Sequence, residues 1–395
     1  MDRRSFHKAV GLSILGAGAI GPARAWAAPD GGGNSVRRGA GEDHKAWARK
    51  HFRGMENLFL PSFTADFAQL DEEGIRADVR QAARQGFFST LPVNLGLKSR
   101  DESRRLLEIV ADEARGKILV TAGLGGRTFD EQVDGLRFAE RTGASQIFLS
   151  LQRAETEAQV VTAARRLIEA TDLPIVLYGQ PDDEFIRFHP SGLPLDAFDR
   201  LASLPNVIAV KFTQVMNLAT AYELAARVSD RLLIGPVHLE AVPLLASRHH
   251  VQWSGQWTVE ALQSPERPYG VEFIDHIGNG RMKEALEKYW ILHPAYQAFY
   301  ELQGPPLRLG GHPWCHQKYY QWLTGGNGGL LRDLGESAQR VPPLDAAGRR
   351  AIREVFKTVG IGTVDLPDEA FMVGNAAYQR GTRVRDLKGT PQYLT

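Results

Sequence analysis

Short apolar runs of strand length recur along this chain, each followed by a segment whose apolar residues return every three or four positions. The runs are Leu58–Phe63, Phe87–Val93, Ile118–Ala122, Ile147–Leu151, Ile175–Tyr178, Val207–Lys211, Leu232–Gly235 and Val251–Gly255. Their starts lie 29, 31, 29, 28, 32, 25 and 19 residues apart, the length of one strand, one crossover helix and two loops. Between them, Ile75, Val79 and Ala82 mark one helical face, and Leu106, Leu107, Val110 and Ala114 a second. Val133, Leu136 and Ala139 mark a third; Val160, Ala163, Ala164, Leu167 and Ile168 mark a fourth. Gly86 and Gly143 stand just before strands, where a left-handed helix end is expected.

Uninterrupted apolar strands fit a parallel sheet buried on both faces. Eight strand–helix units predict an α/β fold closed into a (β/α)8 TIM barrel over residues 56–280. A doubly wound open sheet is the alternative, but no glycine-rich dinucleotide fingerprint follows the first strand. Gly123-Leu124-Gly125-Gly126 lacks the Lys-Ser/Thr of a phosphate loop. A C-terminal helical region follows over 281–362, with predicted helices at Arg281–Leu302, Trp314–Leu323 and Asp345–Val359. Residues 363–395 have few large aliphatics and read as an extended tail.

The composition, 43% hydrophobic and 24% charged over 395 residues, fits one large barrel with extensions and excludes a disordered scaffold. The first 28 residues change the charge picture. Asp2-Arg3-Arg4-Ser5-Phe6-His7-Lys8 precedes an apolar stretch from Ala9 to Ile20, then Ala25-Trp26-Ala27-Ala28. That order is an export signal, and the Arg-Arg-x-Phe-x-Lys pattern resembles the twin-arginine subclass. A Sec signal or a surface helix is the alternative. The apolar stretch is too short for a permanent span, so no stable membrane insertion is expected. Residues 29–55 read as a flexible leader, with Asp30-Gly31-Gly32-Gly33-Asn34 at its start. The twin-arginine translocation machinery is the implied partner, and a periplasmic or extracellular location follows. The full chain carries +1, and removal of residues 1–28, with Arg3, Arg4, Lys8 and Arg24 against Asp2, leaves it near −2. Neither value favours nucleic acid. A single cysteine, Cys315, excludes an intramolecular disulfide framework and Cys-cluster metal sites.

Chemistry in such a barrel sits at the C-terminal strand ends. Strand six ends Val207-Ile208-Ala209-Val210-Lys211, and a partly desolvated lysine there is a nucleophile toward carbonyls. Strand five ends in Tyr178, a phenol that can relay protons on the neighbouring strand. A snorkelling lysine and a structural core aromatic are the plainer readings.

These residues carry a resemblance. Leu177-Tyr178-Gly179-Gln180-Pro181 is similar to the Tyr-x-x-Pro motif, and Val210-Lys211-Phe212-Thr213 to the Schiff-base lysine motif, of the dihydrodipicolinate synthase / N-acetylneuraminate lyase family. The resemblance runs from about Asn57 to Ile361. It implies a class I aldolase-type lyase that makes or breaks a C–C bond in a pyruvate-type 2-oxo acid. It also implies a covalent imine on Lys211 in place of any cofactor, proton transfer by Tyr178, and a homo-oligomer, dimer or tetramer. The chain departs from the family in several places. Where the family has Gly-Thr-Thr-Gly-Glu, the chain reads Pro92-Val93-Asn94-Leu95-Gly96-Leu97-Lys98, without threonine. The loop after strand four has no tyrosine, and His238 replaces a common acid after strand seven. Asn94, Gly96, Lys98, His238, Ser254 and Gly255 are therefore the candidate substrate-binding residues.

Phe185-Ile186-Arg187-Phe188-His189-Pro190, in a lengthened segment, is similar to a hydratase-aldolase branch acting on aryl pyruvates; Trp253 and Trp257 would suit such an apolar substrate, with packing residues as the plainer reading. A hydratase-aldolase or dehydratase on an aryl or sugar-derived 2-oxo acid, or a non-catalytic 2-oxo acid binding protein, is thus the alternative function. His312 and His316 lack a third ligand, so no metal is expected. His249 and His250 read as structural, and Asp182-Asp183-Glu184 as a solvated loop.

Overall fold

The computed structural model describes residues 38–213, 217–255, 263–308 (303–308 as backbone), 312–329, 331–332, 341–342 and 344–388. Eight strands form one sheet: β1 (Gly54–Phe59), β2 (Ser89–Pro92), β3 (Leu119–Gly123), β4 (Gln146–Ser150), β5 (Ile175–Gly179), β6 (Val207–Phe212), β7 (Leu233–Pro236) and β8 (Trp253–Gly255). Their order is β7-β6-β5-β4-β3-β2-β1-β8, and each hydrogen-bonded pair is parallel. This is a nearly closed TIM barrel, as the eight-unit pattern predicts. At the seam between β7 and β8 the Ser254 hydroxyl donates to the Pro236 carbonyl at 2.7 Å.

Fourteen α-helices are described. α1 (His44–His51) precedes the barrel. α2 (Glu72–Arg84), α3 (Arg100–Ala114), α4 (Phe129–Thr142), α5 (Glu157–Ile168), α6 (Leu195–Leu201), α7 (Leu218–Val228) and α8 (Val242–Ala246) are the crossovers. α9 (Tyr269–Gly278), α10 (Met282–Arg308), α11 (Trp314–Leu323), α12 (Ala346–Thr358), α13 (Asp368–Val373) and α14 (Asn375–Gln379) follow. Thr128 and Thr156 each close a capping box, and Gly143 ends α4 at φ 104°, a conformation costly for a residue with a Cβ.

Three expectations need correction. The segment 29–55 is not a leader throughout: within its described part, α1 plugs the N-terminal end of the barrel. Trp47 and Phe52 are fully buried among Leu119, Val176, Ile208 and Trp253, and Phe52 meets the Trp253 ring edge-on at 4.6 Å. Trp47, Ala48 and Phe52 are the apolar residues that carry that anchorage, too few to register against the surrounding charge. The second correction is that β1 begins at Gly54, four residues before the apolar run. Thirdly, 363–395 is not an extended tail over its described residues. Phe371 packs edge-on against Tyr319 at 4.8 Å, and Asp368 accepts from Arg349, Arg353 and Tyr319. The proposed signal, residues 1–28, and Trp257 lie outside the described residues.

Candidate active site

Side chains alternate along a strand, so every second residue points into the barrel. The register pairs Tyr178 with Lys211 directly across β5 and β6, and Ser150 with Tyr178 across β4 and β5. Near the C-terminal strand ends the inward residues line a cavity of about 230 Å³. Leu58, Leu91, Gly123, Phe148, Tyr178 and Lys211 come from six successive strands. Val93, Asn94 and Thr213 add loop positions, and His312 with Trp314 adds a side from the C-terminal region. His312 stacks on Trp314 with ring centroids 3.5 Å apart, and burial pushes its pKa down to about 3. α11 fixes this corner, because Gln321 donates to the Leu58 carbonyl at 2.8 Å.

Lys211 is 4% exposed. Burial holds its pKa below the ordinary lysine value, and the nearby Glu56 carboxylate opposes that shift. Its ammonium position is 5.4 Å from the Phe148 ring centroid, and Phe148 in turn lies 4.6 Å from the Tyr178 ring. The Tyr178 hydroxyl sits 3.2 Å from Thr213 Oγ1. Burial raises the phenol's pKa, with the Thr213 hydrogen bond opposing, so the phenol is an O–H donor at neutral pH.

The remaining expected residues divide. Asn94 lines the Lys211 cavity and also an adjoining groove of about 320 Å³ between α3 and α4. Lys98 lines that groove only. Gly96 faces neither cavity. It has φ +70° and its Cβ position would fall 2.2 Å from the Arg332 carbonyl oxygen, so it is the seat of the C-terminal segment. His238 lies in a separate cavity of about 310 Å³, bonded to Glu240 at 3.1 Å and Tyr300 at 3.0 Å. Thr213 borders both that cavity and the Lys211 cavity. Ser254 serves the seam rather than the cavity. Gly255 lies against the Lys211 stem, its Cβ position falling 3.2 Å from Lys211 Cδ. Trp253 is not part of an aromatic mouth: it faces the barrel floor, lying against Gly235. The tryptophan at the cavity is Trp314.

Sequence reasoning missed Glu56. It lies on β1 opposite Ser89, fully enclosed, and accepts from Ser89 at 3.1 Å and from Thr121. The Gln146 amide ties both hydroxyls together at 2.9 and 2.7 Å. Burial raises its pKa, opposed by Lys211 and the two hydroxyls. A glutamate in the pattern Gly54-Met55-Glu56-Asn57-Leu58 was the available signal, because an inward position of a barrel strand can be counted back from Leu58.

Comparison with known proteins bears on this site. A family model described as the dihydrodipicolinate synthetase family matches residues 95–235, which include Tyr178 and Lys211. That match supports the dihydrodipicolinate synthetase family. The chain is 27% identical over 260 residues to a 4-hydroxy-tetrahydrodipicolinate synthase of Methanothrix thermoacetophila, covering 63% of this chain and 82% of that one. It is 25% identical over 258 residues to the corresponding synthase of Methanopyrus kandleri, covering 64% and 83%. Among solved structures, dihydrodipicolinate synthase of Oceanobacillus iheyensis superposes with TM-score 0.62 at 17% identity, covering 80% of this chain and 99% of that one. A prophage protein of the same family from E. coli K12, in complex with pyruvate, superposes with TM-score 0.61 at 17% identity, covering 78% and 99%. These two structures speak for the fold.

Proposed function

We propose that this chain is a Schiff-base-forming lyase of the aldolase type, acting on a 2-oxo acid. The observation that carries the reading is the Lys211–Tyr178 pair, a buried amine and a phenol set side by side by strand register at the barrel mouth. The Lys211 amine attacks the keto carbon and water leaves, giving an imine that draws electrons from the adjacent C–C or C–H bond. Tyr178, held by Thr213, donates and recovers protons as the carbinolamine collapses and the enamine forms. No cofactor is required beyond the imine on Lys211.

The cavity itself favours a substrate with an apolar or aryl group. Leu58, Leu91, Val93, Phe148 and Trp314 are among its apolar lining residues, and Asn94 stands in the segment that replaces the family's threonine loop. The hydratase-aldolase alternative is therefore kept for an aryl 2-oxo acid. Incubation with pyruvate and with phenylpyruvate in the presence of borohydride is expected to add the reduced imine mass to Lys211, read by peptide mass spectrometry. No adduct with any 2-oxo acid overturns the reading, and an adduct without turnover of any aldol substrate turns it to a binding protein.

Export to the periplasm or beyond by the twin-arginine route, as a dimer or tetramer, belongs to the same proposal. Its support is the Arg3-Arg4-x-Phe6-x-Lys8 pattern. Fractionation is expected to find the chain outside the inner membrane with Arg3-Arg4 intact, and retained inside when both become lysine.

A further inference from the structure

We propose that Glu56 is a positioning residue for the Lys211 amine: its buried carboxyl holds, jointly with that amine, the one proton that imine formation consumes, and as a carboxylate it pairs with the iminium that results. The inference rests on the Schiff-base reading above.

The geometry supports a purpose-built carboxyl rather than a stray one. The Ser89 and Thr121 hydroxyls both donate to Glu56 Oε1. The other oxygen, Oε2, lies 3.2 Å from the Gly255 Cβ position, the same point that lies 3.2 Å from Lys211 Cδ. Carboxyl and lysine stem thus flank one glycine, which leaves room for both. Ser89, Thr121 and Gln146 face Glu56 from β2, β3 and β4, and Lys211 from β6 is the charged group acting on it. Lys211 is faced by Glu56 from β1, by Tyr178 on β5 and by the Phe148 ring on β4, with His312 across the cavity.

The proton balance gives this arrangement a role. A neutral amine and a ketone form an iminium only with uptake of one proton: the N–C bond forms, the C–O bond breaks, and oxygen departs as water. Burial disfavours charge on both partners, so the pair holds that proton between them, on nitrogen or on oxygen. The iminium is cationic while its N–H is held, and a carboxylate across Gly255 from the lysine stem lowers the cost of that buried cation.

The test is trapping of pyruvate by cyanoborohydride as a function of pH, read as intact-mass adduct on the full chain. Glu56→Gln keeps the shape and the hydrogen-bonding capacity but removes the anion. Both limbs of the pH profile are expected to move to lower pH by about one unit or more, since the anion raises the pKa of amine and iminium alike. Ser89→Ala weakens the carboxylate form of Glu56 and is expected to move the profile the same way by less; it carries the test if Glu56→Gln does not fold. An adduct in all variants with an unmoved profile overturns the role of Glu56 alone. No adduct in the parent chain overturns the Schiff-base reading and this inference with it.

Discussion

Lys318→Met will lower the folding stability by about 3–5 kcal/mol, and pairing it with Asp78→Asn will recover most of that loss. Lys318 lies on α11 and Asp78 on α2, both fully enclosed, where the C-terminal region meets the barrel. The Lys318 ammonium donates to the Pro61 carbonyl at 2.5 Å and to Ser62 Oγ at 3.3 Å. Asp78 accepts from the Asn327 backbone N–H at 2.6 Å. Burial raises the Asp78 pKa and lowers that of Lys318, and each opposes the other's shift. Asn at 78 keeps the acceptor for Asn327, so the double variant loses charges without orphaning that N–H. The sign of the pH dependence follows. A carboxyl whose pKa is raised by folding contributes stability below its unfolded value, about 3.9, and loses it as pH climbs through the folded value. Lys318→Met raises the Asp78 pKa further by removing its cation. The single variant's defect is therefore expected to be small near pH 4 and full at pH 8 in urea unfolding. A defect equal at both pH values would overturn this account.

The eight-strand period was legible because buried parallel strands must be continuously apolar, and β5 and β6 end one residue past the Tyr178–Lys211 pair that closes the runs. The beginning of β1 was not, because a polar layer crosses the barrel there. Glu56, Ser89, Thr121 and Gln146 satisfy one another inside it, and hydropathy alone reads such residues as surface. The two ends were hidden for a related reason. α1 buries few apolar side chains, chiefly Trp47 and Phe52, and the segment after 363 joins a short apolar patch around Phe371 to ion pairs such as Arg349–Asp368 and Arg380–Asp71. The cavity's tryptophan was misassigned for a different reason. Trp253 and Gly255 share the inward face of β8, so depth along the strand decides which end each serves. Trp253 is two residues earlier and reaches the floor, and the mouth is closed by Trp314, some sixty residues on, through a contact no local pattern records.

Lys211→Met will abolish the borohydride-trapped adduct and reduce turnover of the substrate by at least about 10⁴-fold, while leaving the protein at least as stable as the parent. The two halves of this expectation come from one physical fact. Burial drives the Lys211 pKa below the ordinary lysine value, so folding must neutralise the amine or hold its charge against Glu56. A lysine whose pKa is lowered by folding contributes stability only above its unfolded value, about 10.4, and loses it as pH falls through the folded value. At pH 7 the amine is therefore a cost to the fold, and methionine, of similar length and without charge, relieves it against Phe148 and Gly255. Without that cation, burial drives the Glu56 carboxyl further toward its neutral form, still hydrogen-bonded to Ser89 and Thr121. Thermal unfolding at pH 7 should show a midpoint equal to or above the parent's. A residue kept for structure would behave in the opposite way, losing stability on replacement and retaining chemistry. An inactive variant that is also markedly less stable would leave the loss of activity to misfolding and would overturn the assignment of Lys211 as a site held against the preference of the fold.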